Sequence, residues 1–290
     1  MRKYLTLIFI WVLTTGAVFS QGSTDVSMYL KKDSETQLEY VESKSGNLFT
    51  KLGHHGPAIE NQWYALRLYF SKKTAIDVYS KAKPGLELAD KKWYPSKKEQ
   101  LEGWGADYYK VGNTVGLGGI KLWNGDKVLD LNPVMKRSAR VIAHGDSCSI
   151  EMISEGIPYM GRKVDIMVRV SMYASKREAK VEAFCMNGED VQFVTGINYF
   201  PDFVTKRDLH YALTWGIHPE DVAAEKVEVG AALILSPDII EEQLDDGRQL
   251  LFISKPAQSI TTRITSYCAR EEGIDSYEDF ETQIETLLLN

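Results

Sequence analysis

From Trp63 onward the chain alternates apolar and polar positions with a period of two. Tyr64, Leu66, Leu68 and Phe70 fall on one face; Trp63, Ala65, Arg67 and Tyr69 fall on the other. That is the spacing of a β-strand. Ile76 and Val78 alternate with Asp77, Tyr79 and Lys81. The clearest run is 163–173, where Val164, Ile166, Val168, Val170 and Met172 share a face opposite Asp165, Arg169 and Ser171. Further strands are predicted over 179–185, 225–236, 250–254 and 260–268. Asn124-Gly125, Asn187-Gly188 and Asp246-Gly247 supply turn signals between such runs. Helical signals are few. Ser276 as N-cap, Asp279 three residues on, and Phe280, Ile284, Leu287 and Leu288 on one face predict a C-terminal helix. Residues 97–102 predict a short helical turn. Many strands at short spacing with few helices predict an all-β, antiparallel β-sandwich, a single domain over 21–290.

Residues 1–20 stand apart from this pattern. Arg2 and Lys3 precede an apolar stretch over 5–13 that is short for a membrane span, and small residues from Gly16 to Ser20 lead to Gln21. This is the layout of an export signal cleaved before Gln21. It predicts an exported, periplasmic protein with no later membrane span. A net charge of −6 argues against a nucleic-acid partner, which wants a basic surface. An anionic ligand stays compatible, because a local Lys/Arg cluster outweighs the global sign. Cys148, Cys185 and Cys268 allow one disulfide, with no pairing specified. No CxxC pair exists to build a cysteine zinc site. No cofactor is predicted, and a divalent metal stays open.

The candidate chemistry centres on His54-His55-Gly56-Pro57-Ala58-Ile59-Glu60-Asn61. One reading is a loop in which one imidazole caps a strand end and the other is solvated. The other makes His54 or His55 a general base or acid, since imidazole titrates near neutral pH. On an extended chain adjacent side chains point to opposite faces, which disfavours a shared metal. Arg67, beside Trp63 and Tyr69, reads either as an exposed strand face with a surface salt bridge or as a concave face. On such a face aromatics stack on sugar rings and a guanidinium clamps a carboxylate or sulfate; Lys81, on the Asp77/Tyr79 face of the following strand, is placed to join it. The glycine-rich stretch 103–119 is neither a P-loop nor a dinucleotide fingerprint. It presents Trp104, Asp107, Tyr108 and Lys110 on a structural loop or a ligand loop. His144 lies at a turn, and His210-Tyr211 with Trp215-Gly216-Ile217-His218 forms a second aromatic and histidine group. There is no Gly-x-Ser-x-Gly elbow and no His-Glu-x-x-His.

Taken together, His54-His55-Gly56-Pro57 through Glu60-Asn61, then Tyr64, Arg67 and Tyr69-Phe70, then Ile76-Asp77-Val78-Tyr79 with Lys81, Pro84 and Leu86-Glu87-Leu88 resemble a secreted bacterial family, domain of unknown function 4861. The 103–119 stretch, Trp123-Asn124-Gly125 and Leu213-Thr214-Trp215-Gly216 fit the same family, while His144-Gly145-Asp146 departs from it. The resemblance implies a galactose-mutarotase-like supersandwich. It also implies an oligosaccharide dehydratase of ulvan breakdown, acting on a non-reducing-end glucuronate or iduronate to leave a 4,5-unsaturated uronate. Such an elimination needs a cation at the carboxylate, a base for the C5 proton and an acid for the departing 4-hydroxyl. Arg67 or Lys110 would bind the carboxylate, with Lys81, Asp107 and His144 as further substrate contacts. His54 or His55 would be the base, and Tyr108, Tyr64 or His210 the acid. Trp104 and Trp215 would stack on the sugar. Two competitors stand beside it: a glycoside hydrolase using carboxylates such as Asp77 and Asp107, and a non-catalytic carbohydrate-binding protein.

Overall fold

Antiparallel strand pairing organises the chain into three sheets. The computed structural model describes residues 24–92, 94–143, 145–219 and 223–288; the expected export signal and His144 lie outside them. A nine-stranded sheet runs in the order Val204–Arg207, Tyr211–Ile217, Glu228–Leu235, Ser259–Cys268, Lys176–Cys185, Arg162–Tyr173, Ser147–Tyr159, Lys136–Ala143 and Tyr40–Ser43. A four-stranded sheet holds Thr24–Ser27, Ala58–Asn61, Tyr64–Leu68 and Ile76–Ser80. A five-stranded sheet holds Ile240–Asp245, Gln249–Ser254, Gln192–Asn198, Lys121–Trp123 and Val128–Leu129. The architecture is all-β and antiparallel with a C-terminal helix, as the alternation predicts.

Period-two alternation explains the packing. Val164, Ile166, Val168, Val170 and Met172 are all buried, and they join Leu66, Val78, Phe193 and Phe252 in one core drawn from all three sheets. The two smaller sheets form the layer opposite the large one, and the glycine-rich stretch stitches them together. Leu117 N–H donates to Ile76 O at 2.9 Å and Gly118 N–H to Gly196 O at 2.8 Å. A Cβ on Gly116 would lie 2.0 Å from Ile76 O, and its φ is +70°, so only glycine fits there. The stretch is therefore first a structural seam.

On the outer side of the large sheet, Leu213, Trp215, Ala232 and Tyr267 meet Phe280 and Ile284 of the helix Tyr277–Leu288. Ser276 Oγ accepts from Asp279 N–H at 3.2 Å, the predicted cap. The 13-residue strand Ser147–Tyr159 was not foreseen. Its alternation breaks at Gly156, where φ is +73° and the register with Arg162–Tyr173 shifts, as in a β-bulge. All three cysteines are buried and free, so the disulfide that their number allowed is not formed. Among the described residues no helix is long and apolar enough to cross a membrane.

Gly56 marks the closest approach of the histidine tract to the four-stranded sheet: a Cβ there would lie 2.0 Å from Leu68 O. Backbone cannot yield as a flexible side chain can. Gly56→Ala is expected to cost at least about 2 kcal/mol, read as a lowered urea midpoint with an unchanged m-value.

Candidate functional site

Strand register builds the site. Arg67 pairs across the strands with Asp77 on one side and Ala58 on the other, and directly opposed residues share a face. Tyr64, Leu66 and Leu68 point into the main core. The opposite face carries Ala58, Ala65 and Tyr79, and Leu88 covers it. Arg67 is therefore only 1% exposed, which corrects the picture of an open strand face. Its Nη2 lies 2.6 Å from Asp77 Oδ2 and 2.7 Å from Asp107 Oδ1. Tyr69 donates its hydroxyl to Asp77 Oδ2 at 2.6 Å, and Val78 N–H donates to Oδ1 at 2.9 Å. The Tyr94 ring centre lies 5.3 Å from the guanidinium carbon, within cation–π range.

The histidines adjoin this group through a tight turn rather than an extended chain. His54 and His55 have φ of 53° and 62°, so both are left-handed, which non-glycine residues seldom adopt. Gly56 N–H closes the turn on Gly53 O at 3.1 Å, and Phe70 N–H donates to His55 O at 2.9 Å. Adjacent side chains point to opposite faces only on extended backbone, and this backbone is not extended. His54 is buried with its ring edge-on to Tyr29 at 5.3 Å. Burial, then the Arg67 charge, lower its pKa to about 3. It is a neutral imidazole at any working pH. His55 is half-buried, stacks on Phe49 at 3.9 Å and meets Tyr69 edge-on at 5.8 Å. Its Nδ1 lies 2.9 Å from Phe49 O. A carbonyl only accepts, so Nδ1 carries the hydrogen and the neutral ring keeps its lone pair on Nε2.

The electrostatics follow from burying one cation between two anions. Burial opposes the Arg67 charge, but Asp107 and Asp77 outweigh it and hold the guanidinium ionised. Burial raises Asp77 to about 7, with Asp107 adding to burial and Arg67 pulling the other way. Burial and the Asp77 charge push the Tyr69 hydroxyl far up. Next to this group, Tyr109 packs on His218 with ring centres 4.4 Å apart. His218 Nδ1 accepts from Lys110 N–H at 3.1 Å, and burial lowers its pKa to about 3. The Tyr29 hydroxyl, His54 Nε2, the Tyr109 hydroxyl and His218 Nε2 are buried without a hydrogen-bond partner among the described residues. Each such group costs about 1–3 kcal/mol. Unsatisfied polar atoms beside a perturbed carboxyl make this group a candidate functional site.

The other predicted site residues divide clearly. Asp107 belongs to the group, and Lys110 touches it through its backbone to His218. Lys81 does not. Its ammonium contacts Glu60 and donates to Asn61 O at 2.7 Å and Gly85 O at 2.6 Å, while Glu60 also accepts from Glu87 N–H and Leu88 N–H. That is a satisfied structural pair. Tyr64 is buried in the core, donating to Ile264 O at 3.1 Å. Trp215 is 3% exposed and stacks on Phe280, so its ring is not available to a sugar. Tyr108 accepts from Arg270 at 2.9 Å. Trp104 lies under the Lys91 ammonium, 4.0 Å from the ring centre. His210 is exposed beside the strand Tyr211–Ile217, a different sheet from Arg67. Asp77 as the partner of Arg67, together with Tyr94 and Tyr109, is not foreseen by the sequence reading, which does place Tyr69 on the Arg67 face and His218 in the second histidine group. One signal was legible: Arg67 and Asp77 stand equally far from the turn centred on Lys72, so a hairpin pairs them. Among the described residues no group of three or more His, Cys, Asp or Glu is placed to hold a metal ion.

A family model described as a domain of unknown function, DUF4861, matches residues 12–288. The chain belongs to this family. The match takes in every residue of the site described above. No curated protein matches the chain. Among solved structures, a protein described as an aldose 1-epimerase from Klebsiella pneumoniae subsp. pneumoniae is similar with a TM-score of 0.32 and 8% identity, over 84% of this chain and 91% of that chain.

Two measurements test the electrostatics. His54 has a folded pKa below its ordinary 6.5, so its contribution to stability is present above that pH and lost as pH falls toward 3. Asp77 is raised, so its contribution is present at low pH and lost as pH rises from about 4 toward 7. Asparagine tolerates the left-handed backbone. The difference between wild-type and His54→Asn urea midpoints should therefore shrink steadily from pH 6.5 to pH 4. Lys81→Met should cost about 3–5 kcal/mol by leaving the Glu60 carboxylate buried and unpaired. Adding Glu60→Gln should restore part of that loss in the same denaturation assay.

Proposed function

We propose that this protein is a carbohydrate-active lyase, an oligosaccharide dehydratase that removes water from a non-reducing-end uronate and leaves a 4,5-unsaturated acid. The observation that carries the reading is the buried group in which one guanidinium, two carboxyls, a phenol and an adjoining imidazole converge. In the reaction the C5–H and C4–O bonds break, the C4–C5 double bond forms, and the 4-hydroxyl leaves as water with one added proton. A cation neutralises the uronate carboxylate and the charge that develops on it; Arg67 is the candidate. His55 supplies the base through its Nε2 lone pair. Asp77, poised near neutral pH and hydrogen-bonded to Tyr69, supplies the proton to the leaving oxygen. A carboxyl with that pKa is in turn able to give and regain a proton at physiological pH.

Two physical conditions attend the reading. Arg67, Asp77 and Asp107 together are net negative while both carboxyls are ionised, so protonation of Asp77 makes room for an anionic substrate. The Tyr94 ring over the guanidinium must also swing aside to admit it. Glycoside hydrolysis by Asp77 and Asp107 fits less well. The two carboxylates contact the same Arg67 nitrogen, so the guanidinium bridges them where a glycosidic bond would have to lie.

The test incubates the protein with uronate-terminated ulvan oligosaccharides and follows ultraviolet absorbance of the conjugated acid and mass. A rise in absorbance with loss of one water is expected. His55→Asn, which keeps the left-handed backbone, and Arg67→Lys should each lower kcat/KM at least about 100-fold with unchanged circular dichroism. Wild-type rates in both variants would remove the site assignment. New reducing ends without absorbance would establish a hydrolase, and binding without turnover a carbohydrate-binding protein.

A further inference from the structure

Away from the Arg67 group, the described residues enclose a cleft of about 670 Å3, within the range of small-ligand sites. Residues 81–84, which follow the strand Ile76–Ser80, form one wall. Residues 269–272 and Asp275, after the strand Ser259–Cys268, form another. Trp63 and Arg177 complete it. Trp63 is half-buried; it packs against the main core and still lines the cleft. That is the posture of an aromatic platform, with one side anchored and the other available.

The charges in the cleft are not all matched. The Arg177 guanidinium lies 3.5 Å over the Tyr267 ring. It donates to both Glu271 oxygens at 2.9 and 2.7 Å and to Ser266 O at 2.7 Å. Its Nε is buried without a hydrogen-bond partner among the described residues. Glu271 is thereby neutralised, as Lys81 is by Glu60. Arg270 donates to Gln100 O and the Tyr108 hydroxyl, both at 2.9 Å; the Glu225 charge acts on it from nearby, with no ion pair between them among the described residues. Lys83 is exposed and reaches across Gly103. Glu272 and Asp275 are exposed to solvent. An indole that shares a cleft with two cations held in no ion pair among the described residues is the chemistry that takes a sugar ring bearing a carboxylate or a sulfate.

We propose that this cleft is a second saccharide subsite, which holds an acidic sugar unit of the oligosaccharide whose terminal uronate reacts at Arg67. The proposal rests on the dehydratase reading and extends it from the reacting unit to the chain behind it. Lys81, at the cleft wall, stands four residues beyond Asp77 on one extended run, about 13 Å away. Under the proposal, different units of one oligosaccharide serve the two places.

Isothermal titration calorimetry of the protein with uronate-terminated di- and tetrasaccharides tests this. Trp63→Ala and Lys83→Glu should weaken the tetrasaccharide about tenfold and the disaccharide less than about twofold. Lys83 is exposed, so its variant reports even if Trp63→Ala destabilises the core. A desulfated tetrasaccharide that loses the same affinity assigns the recognised charge to sulfate; one that keeps it assigns the charge to carboxylate. Wild-type tetrasaccharide affinity in Lys83→Glu overturns the subsite. If the oligosaccharides are turned over while both variants bind normally, the subsite falls and the dehydratase reading stands. If tetrasaccharide binding depends on Trp63 and Lys83 but no water is ever lost, the subsite stands and the elimination falls.

Discussion

The Arg67–Asp77 pair is the constraint around which the four-stranded sheet is arranged. A guanidinium that is 1% exposed has lost its water, and desolvation costs several kcal/mol per ion unless fixed partners replace it. The strand register supplies Asp77, the glycine-rich stretch supplies Asp107, and Tyr69 and Tyr94 close around them. The histidine turn folds tightly beside this group. Its tightness shows in the positive φ of His54 and His55 and in the contact with Leu68 O that excludes a Cβ at Gly56.

A second buried ion pair in the same sheet shows what a purely structural one looks like. Lys81 and Glu60 fill their hydrogen-bonding capacity with each other and with backbone groups, and they pin 85–88 against the strand Ala58–Asn61. Every donor of Lys81 and both oxygens of Glu60 are engaged. Around Arg67, by contrast, Tyr29, His54, Tyr109 and His218 all hold buried polar atoms without partners. A fold that needed only stability would replace such groups with apolar ones of similar shape. The two ion pairs differ in how completely their own polar atoms are satisfied, not in charge or burial.

The two-layer architecture also divides labour along the strand Ile76–Ser80. Its first half carries Asp77 to the closed group, and its continuation carries 81–84 to the open cleft. Consecutive residues of the glycine-rich stretch do the same: Asp107 contacts Arg67, and Tyr108 accepts from Arg270 in the cleft. Two chemically different environments are thus tied to one rigid seam between the sheets.

By itself the sequence determined the strands that alternate cleanly, such as Arg162–Tyr173 and Lys176–Cys185, the capped helix Tyr277–Leu288, and the prominence of His54, His55 and Arg67. These follow from local rules, because side-chain direction repeats every two residues in a strand and capping acts within one turn. The strand Ser147–Tyr159 escaped because a bulge at Gly156 breaks its period. Tertiary structure alone decided that the polar face of Tyr64–Leu68 is covered rather than exposed, and that Trp215 and Tyr64 serve the core. It alone decided that Lys81 has Glu60 as its partner and that Arg67 has two aspartates. Burial and pairing between distant segments depend on which sheet lies over which face, and no local pattern of residues carries that information.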